Sequence, residues 1–198
     1  LEPVVVDVDA FALYNSFEAS YGFPPGETVV LIDIGAGTIN INVVSNGVST
    51  FTRDISMGGN QYTEEIQKQL NVSYDEAEAY KRGGEAGVDA DSVVPQEVEQ
   101  VMAAVSESMA SEIHRSLDFY LATSSDGRVS RVYLSGGTAK VPSLARTIED
   151  KVGVAVELVD PFRNVQIDGK VFNLDYINEI RPVAAVAVGL GLRRGGDK

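Results

Sequence analysis

The chain reads LIDIGAGT from Leu31 to Thr38, and about a hundred residues later VYLSGGTAKVPS from Val132 to Ser143. In each stretch an apolar strand runs straight into a glycine turn. Asp33 ends the first strand, Gly35 and Gly37 flank the bend, and a second strand, Thr38 to Val44, leaves it. Glycine tolerates positive φ and lets backbone N–H groups come close to a phosphate with no Cβ in the way. At least one of Gly35 and Gly37 is therefore expected at φ above zero. In the second stretch Gly136 and Gly137 follow the strand, and Pro142 is expected to open the next helix, where its absent N–H costs nothing. Two such turns at strand ends of one sheet point to a nucleotide held between them. Neither is a Walker loop, and Asn40 stands where a dinucleotide fingerprint needs its third glycine.

Outward from these turns, the pattern gives a strand at Leu1 to Val8 and a helix from Ala10 to Ser20 capped by Asp9, with Phe11, Leu13, Tyr14 and Phe17 inward. Three short strands follow at hairpin spacing, Thr28 to Ile34, Thr38 to Val44 and Val48 to Asp54, the last pair joined through Asn46-Gly47. After Gly58-Gly59 comes a helix from Tyr62 to Leu70, then one capped by Ser73 with Glu76 completing a capping box. Lys81 to Asp91 reads as an exposed loop. Pro95 opens a long helix to Ala122, striped by Val98, Val101, Met102, Val105, Met109, Ile113, Leu117 and Tyr120. Asp126-Gly127 turns into a strand at Val129 to Leu134. A helix from Pro142 to Val152, a strand from Val154 to Val159, a short strand at Lys170 to Leu174 and a final helix from Arg181 to Leu192 complete the order. Three antiparallel strands extended by parallel ones make a mixed, ribonuclease-H-like α/β sheet covered by helices.

Composition narrows the partners. A net charge of -13 excludes a nucleic-acid surface, which calls for a basic patch. With no cysteine there is no thiolate metal site or thiol nucleophile. No apolar run reaches the ~20 residues of a membrane span. The lone histidine, His114, lies mid-helix and reads as structural.

The stretches PVVVDVDAFAL (from Pro3), VLIDIGAGTINI (from Val30), TRDISMGGNQYTEEI (from Thr52), DEAEAYKRG (from Asp75), SLDFYL (from Ser116), VYLSGGTAKVPSL (from Val132) and RPVAAVAVGLGLR (from Arg181) together resemble one family. It is the PilM family of type IV pilus assembly proteins, which is related to FtsA, in the actin-like ATPase superfamily. The resemblance implies an actin-like C-terminal lobe at 28–70 and 97–198, preceded at 1–27 by the end of an N-terminal lobe and the first connecting helix. A small insertion stands at 71–96, and Val183 to Leu192 matches the second connecting helix.

It also implies site roles. Gly35, Ala36, Gly37 and Thr38 match the second phosphate loop, and Asp33 would face Mg²⁺ through water. Gly136, Gly137 and Thr138 match the adenosine motif, and Glu78 and Lys81 the pair reaching ribose and adenine. Asp9 would orient the attacking water. ATP or ADP with Mg²⁺ is the implied cofactor of the intact protein. The implied partner is the cytoplasmic tail of the inner-membrane protein PilN, bound on the N-terminal lobe, alongside other pilus platform proteins. The implied place is the cytoplasmic face of the inner membrane, reached through partners and without membrane insertion. No first phosphate loop is found, so the chain is expected to be a piece of a longer protein. As such it should fold alone yet bind and hydrolyse ATP weakly or not at all. An FtsA-like division protein and a sugar or small-acid kinase of the same superfamily stay open as alternatives.

Overall fold

The structure, a computed structural model, describes residues 3, 5–83, 96–124 and 128–194. Helix α1 (Asp9–Tyr21) leads into strands β1 (Thr28–Ile34), β2 (Ile39–Ser45) and β3 (Val48–Ile55). Helices α2 (Asn60–Leu70), α3 (Tyr74–Lys81) and α4 (Gln96–Thr123) follow. Then come β4 (Val129–Ser135), a 3-10 turn (Gly137–Lys140), α5 (Leu144–Val152), β5 (Val156–Leu158) and α6 (Leu174–Leu192). The sheet order is β3-β2-β1-β4-β5, antiparallel through the first three strands and parallel across β1-β4-β5. This is the expected mixed, ribonuclease-H-like sheet.

The central strand β1 shows why both faces close. Side chains alternate across a strand with a period of two. Val30, Ile32 and Ile34 join the core under α4 and α5, where Met109, Ile113, Leu117, Leu144 and Ile148 are buried. Val29 and Leu31 point the other way, to Leu13 and Phe17 of α1 and Ala185 of α6. A strand buried on both sides must be apolar at nearly every position, and TVVLIDI is so except at Thr28 and Asp33. Each fully buried isoleucine or leucine here contributes about 1.5–3 kcal/mol relative to exposure. A smaller cluster of Ile66, Ala77 and Val98 fastens α3 to α2 and α4. The capping box at Ser73 and Glu76 forms as expected.

Several boundaries differ from the sequence reading. Residues 3 and 5–8 form no strand, and Val6 is 92% exposed; no strand of the sheet runs beside them to share a ladder. Asp9 is not the N-cap of α1 but its first residue, since Val8 holds the cap position. Phe11 is exposed, while Ala12, against Gly189 of α6, and Leu13, in the cluster with Val29, Leu31 and Ala185, are the buried ones. Pro142 does not start α5; it lies in the turn at 141–143 that follows the 3-10 turn, and the helix begins at Leu144 after Ser143 at φ +67°. No strand forms at Lys170 to Leu174, where Asn173 caps α6 by accepting from the N–H groups of Asp175 and Tyr176. α6 thus starts two turns before Arg181 and carries Pro182 inside it. β5 is only three residues long. His114 meets Asp118 one turn on, at 3.3 Å, on the surface. Pro95, Asp126-Gly127 and most of the loop expected at Lys81 to Asp91 lie outside the described residues.

The α1–α6 contact rests on one glycine. A Cβ at Gly189 would lie 1.7 Å from the carbonyl oxygen of Ala12, whereas one at Gly191 would meet nothing within 4 Å. Gly189→Ala should cost about 3 kcal/mol or more in urea unfolding, since backbone must shift. Gly191→Ala, two residues on in the same helix, should be neutral or stabilising by up to about 1 kcal/mol. Equal effects would show that the two helices do not pack this closely.

Candidate functional site

Three glycine turns meet at the ends of β1 and β4. The carbonyl oxygen of Gly35 accepts from the N–H of Gly59 at 3.0 Å and from the hydroxyl of Thr138 at 2.8 Å. The N–H of Asn60 donates to the carbonyl of Ala36 at 2.8 Å. These bonds draw the turn at 58–59 onto the turn at 35–38, so closely that a Cβ at Gly58 would sit 2.6 Å from the Ala36 carbonyl. Gly136, at φ +91°, is pressed equally hard, with a Cβ position 2.4 Å from the Ile34 oxygen. Its N–H donates to the carbonyl of Pro182 at 2.8 Å. Pro182 therefore anchors α6 to the end of β4.

The expectation of positive φ at Gly35 or Gly37 fails. Neither is in that region. Gly35 N–H closes the hairpin onto the Thr38 carbonyl at 3.0 Å. The side-chain space above Gly37 and above Gly137 is open, with no atom within 4 Å. The N–H groups of Ala36, Gly37, Thr38 and Gly137 have no hydrogen-bond partner among the described residues, while those of Gly35 and Gly136 are committed internally. Of the residues singled out in sequence, Ala36, Gly137, Thr138, Glu78 and Lys81 line one cleft of about 610 Å³. Gly59, Asn60, Tyr74, Arg82, Lys140, Val141, Pro142, Glu179 and Val183 complete its wall and were not singled out in the sequence as site residues.

Glu78 and Lys81 face the turns from α3 as an ion pair, both more than four-fifths buried. Burial pushes the Glu78 carboxyl up, but hydrogen bonds from Lys81 and Thr63 outweigh it and hold the group below its ordinary value. Lys81 Nζ also donates to Thr63 Oγ1 at 2.9 Å and to the Gly59 carbonyl at 3.3 Å. Thr63, on α2, was missed because a buried threonine in a helix carries no sequence signal.

Asp33 is the opposite case. Burial raises its carboxyl pKa, the Ser135 hydroxyl donating at 2.8 Å pulls it back, and the negative charge of Asp9 raises it further. Asp9 thus stands close enough to Asp33 to act on its charge. Among the described residues no group of three or more His, Cys, Asp or Glu is placed to hold a metal.

The chain belongs to the PilM family: the family model for the type IV pilus assembly protein PilM matches residues 1–195. A solved PilM-PilN type IV pilus biogenesis complex contains a chain 30% identical to this one, with a TM-score of 0.85 over 100% of this chain. This chain spans 55% of that one, about half its length. The cell division protein FtsA of Bacillus subtilis (strain 168) is 46% identical over 54 residues, 27% of this chain and 12% of that protein. MreB 5 of Spiroplasma citri, solved bound to AMPPNP, matches 92% of this chain and 57% of its own with a TM-score of 0.59. At 13% identity that likeness shows the fold, which is actin-like.

A carboxyl whose pKa is raised by folding destabilises the folded state when ionised. The cost is absent below the ordinary value of 3.8, grows as pH rises toward the folded value, and is complete above it. Asp33→Asn keeps an acceptor for Ser135 and removes the charge. It should raise the urea midpoint at pH 7, with the gain shrinking as pH falls from the raised folded value toward about 4 and gone below it. A variant that is less stable at pH 7 would contradict the burial of this charge.

Proposed function

We propose that the intact protein is an actin-like nucleotide-binding scaffold for type IV pilus assembly, and that ATP or ADP with Mg²⁺ occupies the cleft between the glycine turns and α3. The observation that carries this is the set of unpaired N–H groups at Ala36, Gly37, Thr38 and Gly137, beside glycines whose side-chain space no protein atom fills. These N–H groups lie on exposed turns, where water can be displaced from them, and a polyanion suits such a nest of donors. The volume of about 610 Å³ falls in the range of small-ligand clefts.

The residues fit the parts of a nucleotide. The N–H groups of 36–38 and 137 would hold phosphate oxygens, with the Thr38 hydroxyl beside them. Gly136, whose N–H is taken by the Pro182 carbonyl, and the Thr138 hydroxyl, bonded to the Gly35 carbonyl, keep the second turn in place. Glu78 and Lys81 would meet ribose and base from the 71–96 insertion, and Tyr74, Val141, Pro142 and Val183 offer apolar wall. A lone carboxylate suits Mg²⁺ that keeps its waters, so Asp33 would act through one of them. Asp9 would orient water toward the outer phosphate. Bound Mg·ATP supplies a phosphoanhydride bond whose cleavage depends on positioned charge on every side. Residues 1–27 and the actin-like core at 28–70 and 97–198 would meet a preceding lobe that completes the enclosure. Without it, this piece is proposed to bind weakly.

The partner proposed is the cytoplasmic tail of a PilN-like inner-membrane protein, taken on that preceding lobe, with other platform proteins around it. Support comes from the family match and from the complex in which the solved relative was found. Among the described residues no helix is long and apolar enough to cross a membrane, so a place on the cytoplasmic face through partners is consistent with the chain. The pilus reading is preferred to the division-protein and kinase alternatives because its family model spans 1–195, against 27% of the chain for the FtsA likeness.

Gly37→Ala in the full-length protein separates fold from site. Its Cβ meets no protein atom, so stability should hold or rise by up to about 1 kcal/mol. The same Cβ enters the phosphate space, so Mg·ATP affinity in titration calorimetry should fall at least tenfold, about 1.4 kcal/mol. Wild-type affinity in the variant would overturn the phosphate assignment.

A further inference from the structure

Lys81 is placed to reach a ligand, yet its ammonium is already engaged. It has three N–H donors, and it meets three acceptors: the Glu78 carboxylate, Thr63 Oγ1 at 2.9 Å and the Gly59 carbonyl at 3.3 Å. Thr63 lies between the two charged groups. Its hydroxyl accepts from Lys81 and has one proton to give, which goes to the Glu78 carboxylate; the alternative acceptor, the Gly59 carbonyl, is 3.5 Å away. Thr63 is fully buried and belongs to α2, whereas Glu78 and Lys81 belong to α3. Gly59, in turn, donates to the Gly35 carbonyl in the phosphate turn.

We propose that Thr63 is a positioning residue for the nucleotide site: its hydroxyl fixes the Glu78–Lys81 pair against the turn at Gly59. A ligand oxygen then replaces the Gly59 carbonyl as the third acceptor of Lys81. The inference rests on the nucleotide reading above and adds to it the group that sets where Lys81 stands. Exchange occurs at the Gly59 carbonyl because that bond is the longest of the three, and because Thr63 and Glu78 hold Lys81 from the far side. Only a side chain that both accepts and donates can sit between an ammonium and a carboxylate without leaving one unpaired. Serine meets that requirement and valine does not. A ligand that recruits Lys81 thereby releases the Gly59 carbonyl next to the Gly35 hub, which joins α3 to the phosphate turn through one exchangeable bond.

The test compares Thr63→Val and Thr63→Ser in the full-length protein, with two readouts. The first needs no nucleotide: titration of the Glu78 carboxyl by carbon NMR. Glu78 faces Lys81 and Arg82 on its own helix and Thr63 from α2, and the Thr63 bond is one of those that lower its pKa. Thr63→Val should move that titration upward and Thr63→Ser should restore it. The second is Mg·ATP affinity by calorimetry, expected to fall about tenfold in Thr63→Val and to stay within twofold in Thr63→Ser. An unmoved Glu78 titration in the valine variant overturns the positioning role. So does a moved titration with wild-type ATP affinity, or a serine variant that fails to rescue. If the wild-type protein binds no ATP, the nucleotide reading falls, and with it the ligand exchange at Lys81. The Glu78 titration then still decides whether Thr63 positions the pair.

Discussion

The carbonyl oxygen of Gly35 holds the candidate site together. Its two donors come from positions far apart in the chain, the N–H of Gly59 and the hydroxyl of Thr138. A carbonyl has two lone pairs, so one oxygen can join three turns without leaving a donor unpaired. The close approach this demands explains the glycines at 58, 59 and 136, where a Cβ would fall within 2.6 Å of neighbouring atoms. With these contacts internal, the hairpin at 36–38 and the start of the 3-10 turn are left as the places where N–H groups remain open. The cleft is thus a consequence of how the turns bind one another.

Charge divides along the same line. Asp33, at the end of a doubly buried strand, is held above its ordinary pKa, and its ionised form weakens the fold. Glu78, on the small α3 lip, is held below its ordinary value by Lys81 and Thr63 and keeps its charge firmly. A destabilising carboxylate at a strand end beside open N–H groups fits a group kept for binding rather than for stability. The ion pair opposite is part of the structure until a ligand competes for the lysine.

Much of the frame could be read from the chain because it follows short-range periodicity. The nearly unbroken apolar run TVVLIDI marks a strand buried on both faces, the α4 stripe through Met109 and Ile113 marks that helix's buried side, and the Ser73–Glu76 box marks where α3 begins. Errors arose where a local signal had two outcomes. Pro182 read as the start of a helix but sits inside one, because the Asn173 cap two turns earlier wins. The apolar run before Asp9 read as a strand, but its described residues, 3 and 5–8, join no strand of the sheet. At the site, the motifs placed the two glycine turns but not their internal bonding. Nothing in GAGT or SGGT tells that the N–H of Gly35 and Gly136 are used within the fold while those of Gly37 and Gly137 are free. For Gly136 that distinction depends on Pro182, which only the fold brings near, and for Gly35 on the hairpin closing locally onto Thr38. Thr63 was invisible for a like reason: it matters through Glu78 and Lys81, which belong to another helix.

The central claim, that the hub leaves a particular set of N–H groups for phosphate, is most directly tested by amide NMR of the full-length protein titrated with Mg·ATP. The N–H resonances of Ala36, Gly37, Thr38 and Gly137 should shift most and become protected from exchange. Those of Gly35 and Gly136 should be protected before nucleotide is added and remain so. Strong shifts confined to other parts of the chain, with 36–38 and 137 unmoved at saturating nucleotide, would contradict the account.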